Sequence, residues 1–246
     1  MALLWERTSG GRRYEVRTAG RTIRLYTNGV LHTQYHPGHI FGGGVWDLLG
    51  LPVLWRDSSR LNGILLLGLG GGAVVRQLNE LVDWDRLVAV DRNPVHVRIA
   101  RGFFGLDRIK AELVEADAGQ WIGEHRGEKF DLVIDDLFSD GHGEAARAVT
   151  FSRDWYRGLR DLVAEDGILV VNFADSRDLV RRLKRIPAVR RDFERIYKFT
   201  LPAYGNAVAV LLRRDRTPAD LTKALEGIRP KRRRARLRYH LEKIEF

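Results

Sequence analysis

The chain has 246 residues, 44% of them apolar, enough for an ordinary core in one sizeable domain and too many for global disorder. It contains no cysteine, which excludes disulfides, thiolate metal sites and a cysteine nucleophile. The formal charge is +10, but seven Lys and Arg residues fall within 229–238, and removing seven leaves +3 for the rest. The basic character therefore belongs to a C-terminal segment, which weakens a reading of the whole surface as nucleic-acid-binding. The first residues lack the basic flank and long apolar core of a signal peptide, and no apolar run approaches the ~20 residues of a membrane span. A cytoplasmic protein with no membrane partner is expected.

In chain order, residues 14–17 and 22–26 alternate apolar and polar at period two, separated by Ala19-Gly20, and Asn28-Gly29 is a hairpin signal before Val30. Residues 37–44 read as a glycine-rich loop before an apolar helical stretch at 46–51. Residues 1–60 are thus expected to form a small β appendage. From residue 63 the pattern becomes strands alternating with helices. Strands are expected at 64–67, 87–90, 111–114, 132–134 and 167–171, with helices over 73–81, 94–104, 153–163 and 177–186. This is the signature of a doubly wound, mostly parallel α/β sheet of Rossmann-like type over 61–228. Residues 193–201 and 207–212 then read as two strands joined by Tyr204-Gly205-Asn206, a pairing that must be antiparallel. The basic tail, 229–246, is read as a contact for polyanions.

Residues 64–76, Ile-Leu-Leu-Leu-Gly-Leu-Gly-Gly-Gly-Ala-Val-Val-Arg, carry the strongest functional signal. A buried strand ends in Gly68, Gly70, Gly71 and Gly72, and a helix follows, a loop that lets the backbone approach a nucleotide-like ligand. In such sheets ligands bind at the carboxyl ends of the strands, so the residues after each strand matter. Asp91 follows the second strand, 23 positions after Gly68, where a carboxylate can accept from both ribose hydroxyls; its removal is expected to weaken ligand binding and spare stability. Asp117-Ala118 follows the third, placed for an adenine amino group and ring nitrogen. Asp135 and Asp136 follow the fourth. Gly68-x-Gly70-x-x-Ala73 with Asp91 also suits NAD, and an Asp after a strand is commonly a helix cap. The combination of glycine loop, repeated strand-end acids and closing hairpin favours S-adenosylmethionine or its decarboxylated form, and no NAD binding.

Residues 22–175 resemble the spermidine synthase family, the polyamine aminopropyltransferases, within the class I S-adenosylmethionine-dependent methyltransferase superfamily. The resemblance rests on Arg24 to Val30, Leu66 to Gly72, Val88 to Asp91, Ala116 to Ala118, Phe130 to Asp136, Asp154 to Tyr156 and Asp166 to Val170. It implies a small N-terminal β unit that helps form a homodimer and walls the substrate pocket. It also implies that Asp136 is the base for the attacking amine, with Asp135 as alternate. The departures are Gly71, where the family's Asp holds the donor's propylamine, His32 in place of a Gln, and Ser139 in place of the second acid of the pair. Asp140 lies next to it.

A buried ammonium without a carboxylate partner is expensive, so these losses weaken polyamine synthesis. Methyl transfer to an unidentified small-molecule acceptor is the expectation, with genuine aminopropyl transfer as the alternative if Asp140 replaces Ser139 and Asp135 anchors the distal ammonium. A nucleic-acid methyltransferase and a non-catalytic nucleoside-binding module are further alternatives. Tyr204 and Asn206 are candidate lining residues for the acceptor. His142 is a solvated loop residue or an auxiliary base. His32, His36 and His39 have metal-like spacing but no nearby acid, and no metal is expected.

Overall fold

A computed structural model describes residues 1–57, 60–139, 146–228 and 236–245. The chain opens with β1 (Ala2–Ser9), β2 (Arg12–Ala19), β3 (Thr22–Thr27) and β4 (Val30–Tyr35), an antiparallel sheet in that order. The hairpin signal at 28–29 acts as expected. Asn28 and Gly29 both take positive φ, 50° and 82°, as a two-residue turn between twisted strands requires. β1 was not expected. It is an edge strand whose Leu3 and Leu4 face solvent, so it carries no alternation to read.

α1 (Val45–Gly50) runs into a 3-10 turn at Leu51–Trp55, and both are largely buried. There follow β5 (Arg60–Leu67), α2 (Ala73–Leu81), β6 (Asp83–Asp91), α3 (Pro94–Phe104), β7 (Glu112–Glu115), α4 (Ala118–Glu124) and β8 (Phe130–Asp135). A short hairpin, β9 (Phe138–Ser139) with β10 (Ala146–Arg147), leads to α5 (Arg153–Leu162) and β11 (Val163–Phe173). α6 (Ser176–Lys184), α7 (Ala188–Asp192), β12 (Arg195–Thr200), β13 (Ala207–Leu212), α8 (Pro218–Gly227) and β14 (His240–Lys243) complete the described elements.

The main sheet has eight strands in the order β14-β12-β13-β11-β8-β5-β6-β7. Strands β11, β8, β5, β6 and β7 are parallel, while β13 pairs antiparallel with both β11 and β12. The expected closing hairpin is present, inserted with β13 innermost. Strand order reverses at β5, which lies between β8 and β6, and such a switch point opens a crevice at the carboxyl ends. Alternate strand residues feed two cores. Leu66, Ala89 and Ile134 face α2, α3 and the N-terminal sheet, and Leu67, Val90 and Val133 face α5 and α6. Tyr14, Val16 and Leu25 belong to the first core, so the N-terminal sheet is packed onto the main one.

The expected helices 73–81 and 94–104 are found with those bounds, the latter capped by Asn93. α4, α7 and α8 are short or lack a clean apolar stripe and were not expected. The distal end of the basic tail, 229–246, returns to the main sheet. β14 pairs with β12, and Tyr239 packs on the Phe199 ring at 5.4 Å. The most basic stretch, 229–235, lies outside the described residues, so its polyanion contact stays an expectation. No helix among the described residues is long and apolar enough to cross a membrane.

Candidate active site

A cavity of about 560 Å³ opens at the carboxyl ends of the parallel strands. The glycine loop, Asp91, Asp117-Ala118 and Asp136 line it from the main sheet, and Tyr14, Val30 and His32 line it from the N-terminal sheet. Its two ends are built by different means.

At the first end the backbone is shaped for close approach. Gly68 sits at φ +92°, and a Cβ there would lie 2.2 Å from the Asp136 carbonyl oxygen. Any side chain at 68 would therefore drive apart the loop after β5 and the end of β8. The loop is held by Asp91. Its Oδ2 accepts from the amides of Leu69 and Gly70 at 3.0 and 3.1 Å, and its Oδ1 from Asn93 N at 2.8 Å. His96 Nδ1 lies 3.7 Å from Oδ2, and its Nε2 is 2.9 Å from Thr27 Oγ1. Burial opposes the Asp91 charge, but His96 and these amides prevail and hold the carboxyl below its usual range. Asp91 lines the cavity, yet its oxygens are already engaged. Asp91 therefore organises the glycine loop, which corrects the expectation that its loss spares stability; a contact of its oxygens with ribose stays an expectation.

Gly71 and Gly72 are buried and do not line the cavity. Gly71 donates its amide to Thr33 Oγ1 at 2.7 Å, and a Cβ there would lie 2.9 Å from the Phe104 ring and 3.0 Å from Thr33 Cγ2. The space an Asp would need at 71 is filled. Asp117 does cap a helix, its Oδ1 accepting from Gly119 and Gln120 at the start of α4, while Asp117 and Ala118 also line the cavity. Sequence periodicity missed α4 because only Ala118 of its residues is buried.

At the second end Asp136 forms the floor. Burial pushes its carboxyl up to about 7, with the negative charges of Asp135 and Asp91 adding to burial, while Asn172 and Arg147 oppose. Asn172 Nδ2 donates to Asp136 Oδ1 at 2.7 Å, and Asn206 Nδ2 donates to Asn172 Oδ1 at 3.2 Å. Tyr204, Asn206, Ser139 and Trp46 complete this end, with the Trp46 and Tyr204 rings edge-to-face at 6.5 Å. Trp46 is placed there through Asp47, whose carboxylate accepts from the amides of Gly42 and Gly43 at 2.9 and 2.7 Å and pins the preceding loop.

Asp135 does not reach the cavity. It is fully buried, pairs with Arg147 at 2.7 Å and accepts from Trp155 Nε1 at 2.8 Å, so the alternate assignment of the base to Asp135 is corrected. His32 packs on His96 at 5.0 Å, while the His36 and His39 rings lie 4.4 Å apart, tilted by 41°. Asp140 and His142 lie outside the described residues. Asn172 was missed, although a polar residue ending the apolar run Ile168 to Val171 is the same signal that marks Asp91 and Asp136.

Residues 48–212 match the model of the spermine/spermidine synthase domain. Polyamine aminopropyltransferases of Neisseria meningitidis, serogroups A and B, are 32% identical over 152 residues, covering 60% of this chain and 55% of theirs. That of Chromobacterium violaceum is 29% identical over 168 residues, 65% of this chain and 60% of its own. The chain thus spans little more than half the length of these curated relatives. Among solved structures, a probable spermidine synthase from Corynebacterium glutamicum superposes with a TM-score of 0.70 at 16% identity, over 92% of this chain and 88% of that one. Spermidine synthase from Thermotoga maritima gives 0.67 at 14% identity, over 93% and 78%. A human methyltransferase-like protein with bound SAH shares the fold at 0.54 and 18% identity, over 74% and 85%. By its matched domain, this chain belongs to the spermine/spermidine synthase family.

Proposed function

We propose that the cavity binds an adenosyl-sulfonium donor, decarboxylated S-adenosylmethionine, and transfers its aminopropyl group to an amine. The observation that carries this reading is Asp136, a cavity-floor carboxylate whose affinity for a proton is raised to near neutrality beside the glycine loop. A base in that range accepts a proton efficiently near neutral pH. The adenosine would lie over the glycine loop towards Asp117, and the acceptor between Asp136, Tyr204, Asn206 and Trp46. The amine lone pair attacks the propyl carbon bonded to sulfur, and the carbon–sulfur bond breaks with its electrons passing to sulfur. The donor departs as neutral methylthioadenosine, and the proton lost from the amine goes to Asp136. Alignment of donor and acceptor supplies much of the acceleration. The matched domain and the curated relatives favour aminopropyl transfer over the methyl transfer expected from the sequence.

One observation favours methyl transfer from intact S-adenosylmethionine as the second reading. The filled space at Gly71 leaves the donor's propylamine without the carboxylate that the resemblance assigns to it. Product analysis by mass spectrometry separates the two. Methylthioadenosine with an aminopropylated amine supports the proposal. S-adenosylhomocysteine formed from the intact donor, with no methylthioadenosine from the decarboxylated one, replaces it. No product from either donor leaves a nucleoside-binding module. A homodimer and a cytoplasmic location are part of the same reading, the first supported by the exposed Met1, Leu3 and Leu4 on and beside the edge strand β1.

A further inference from the structure

We infer that Asn172 and Asn206 form a polarised amide relay that positions the Asp136 carboxylate, ties its Oδ1 and leaves Oδ2 as the oxygen that meets the acceptor. The inference rests on Asp136 being the base proposed above. An ionised carboxylate only accepts, so Asn172 must turn its Nδ2 towards Asp136, as it does at 2.7 Å. Its Oδ1 then faces away and needs a donor, which Asn206 Nδ2 supplies at 3.2 Å. The same Nδ2 also donates to the Phe173 carbonyl at 3.4 Å, which fixes the polarity of Asn206 in turn. Each amide thus has one orientation compatible with its neighbour, and the order ends at the carboxylate.

The backbone beneath the relay is fixed as well. Arg147 donates through Nη1 to the Asn172 carbonyl and through Nη2 to Asp135 at 2.7 Å, locking the end of β11 beside the end of β8. Asn172 is 2% exposed, so most of its side chain is enclosed by protein where it meets the cavity. Asn206 lies between β12 and β13 and lines the cavity, which couples the acceptor wall to the base. Among the described residues the main charges acting on Asp136 are Asp135, Arg147 and Asp91. None of them lies in the relay, so the relay can be altered while they stay in place. Asn172 and Asn206 are positioning residues, acting through Asp136.

Asn206→Asp keeps shape and reverses polarity but adds a negative charge of its own, so it is read against the double variant Asn172→Leu/Asn206→Asp, which keeps that charge without the relay. The single variant offers Asn172 an acceptor, turns that amide over and sets Asn172 Oδ1 against the Asp136 carboxylate. Asn206→Ser keeps a donor and serves as the conservative control, and Asn172→Leu removes the relay. Two readouts apply to the full chain: the acid limb of the kcat/KM profile, and the titration of the Asp136 carboxyl followed by carbon NMR of labelled protein, assigned with Asp136→Asn. A hydrogen bond to a charged group is worth enough to move a midpoint by about one unit. Asn172→Leu and Asn206→Asp should shift the Asp136 midpoint upward by about that much, Asn206→Asp at least as far, and Asn206→Ser should stay near wild type. An unmoved midpoint in Asn172→Leu, or an equal shift from Asn206→Asp whether residue 172 is Asn or Leu, overturns the relay. Full activity in Asp136→Asn instead overturns the assignment of the base, and the NMR titration still reports on the relay separately.

Discussion

The two ends of the cavity are made in opposite ways. The glycine-loop end is local: one strand, one turn and one helix, with Asp91 from the neighbouring strand accepting from the loop's own amides. The Asp136 end is assembled from afar. Its base follows β8, its amide partner ends β11, and the amide that orients that partner precedes β13. The ends meet where Gly68 lies against the Asp136 carbonyl and the Asp136 amide donates to the Leu67 carbonyl at 2.8 Å. A local device survives changes elsewhere in the chain, whereas an assembled one depends on sheet order and register.

The largest effect should come from the assembled end. Asp136→Asn should lower kcat/KM for aminopropyl transfer by about 10²–10⁴-fold, the span of general-base contributions, with donor affinity by calorimetry little changed. The same variant should also alter stability. Because burial raises the Asp136 carboxyl to about 7, the folded protein holds a proton that the unfolded chain releases above its ordinary value of 3.8. Wild-type stability contributed by this group therefore falls as pH rises from about 4 towards 7 and stays low above it. Asp136→Asn should raise Tm relative to wild type at pH 8, with the gain shrinking towards pH 4. A uniform loss of Tm at all pH values would show the carboxylate to be a net structural support.

At the local end, Gly68→Ala should cost about 2 kcal/mol or more through its positive φ and its contact with Asp136, measured by denaturant unfolding. It should weaken donor binding as well. Asp91→Ala should come next. It strips three backbone amides of a charged acceptor, so unfolding should be easier by about 1.5–3 kcal/mol and donor affinity should fall together with it. Loss of affinity with unchanged stability would show that Asp91 acts on the ribose and not through the loop. Thr33→Val should have the smallest effect, about 1 kcal/mol, from the orphaned Gly71 amide. If Thr33→Val disturbs binding more than Gly68→Ala does, the loop is held from the N-terminal sheet and not by its own strand.

Legibility in the sequence follows the same division. Helices α2 and α3, the glycine loop and the Asn28-Gly29 hairpin were readable because propensity, caps and periodicity act over a few residues. Asp91 and Asp136 were found by position at strand ends, but their partners were not, since a carboxylate facing amides and one facing solvent look alike in a sequence. Asp135 and Asp136 are adjacent, yet successive residues leaving a strand point to opposite sides, so one meets Arg147 and Trp155 and the other the cavity. Asn172 and the return of β14 to the sheet depend on contacts between segments distant along the chain, which short-range patterns do not carry.

Aminopropyl transfer requires the two ends to form one site. A crystal structure of the protein with methylthioadenosine and an amine acceptor tests that most directly. Adenosine should lie over residues 68–70 towards Asp117, with the amine nitrogen at hydrogen-bond distance from Asp136 Oδ2 and its chain between Trp46 and Tyr204. Nucleoside bound away from the glycine loop, or an amine held by groups other than Asp136, would contradict it.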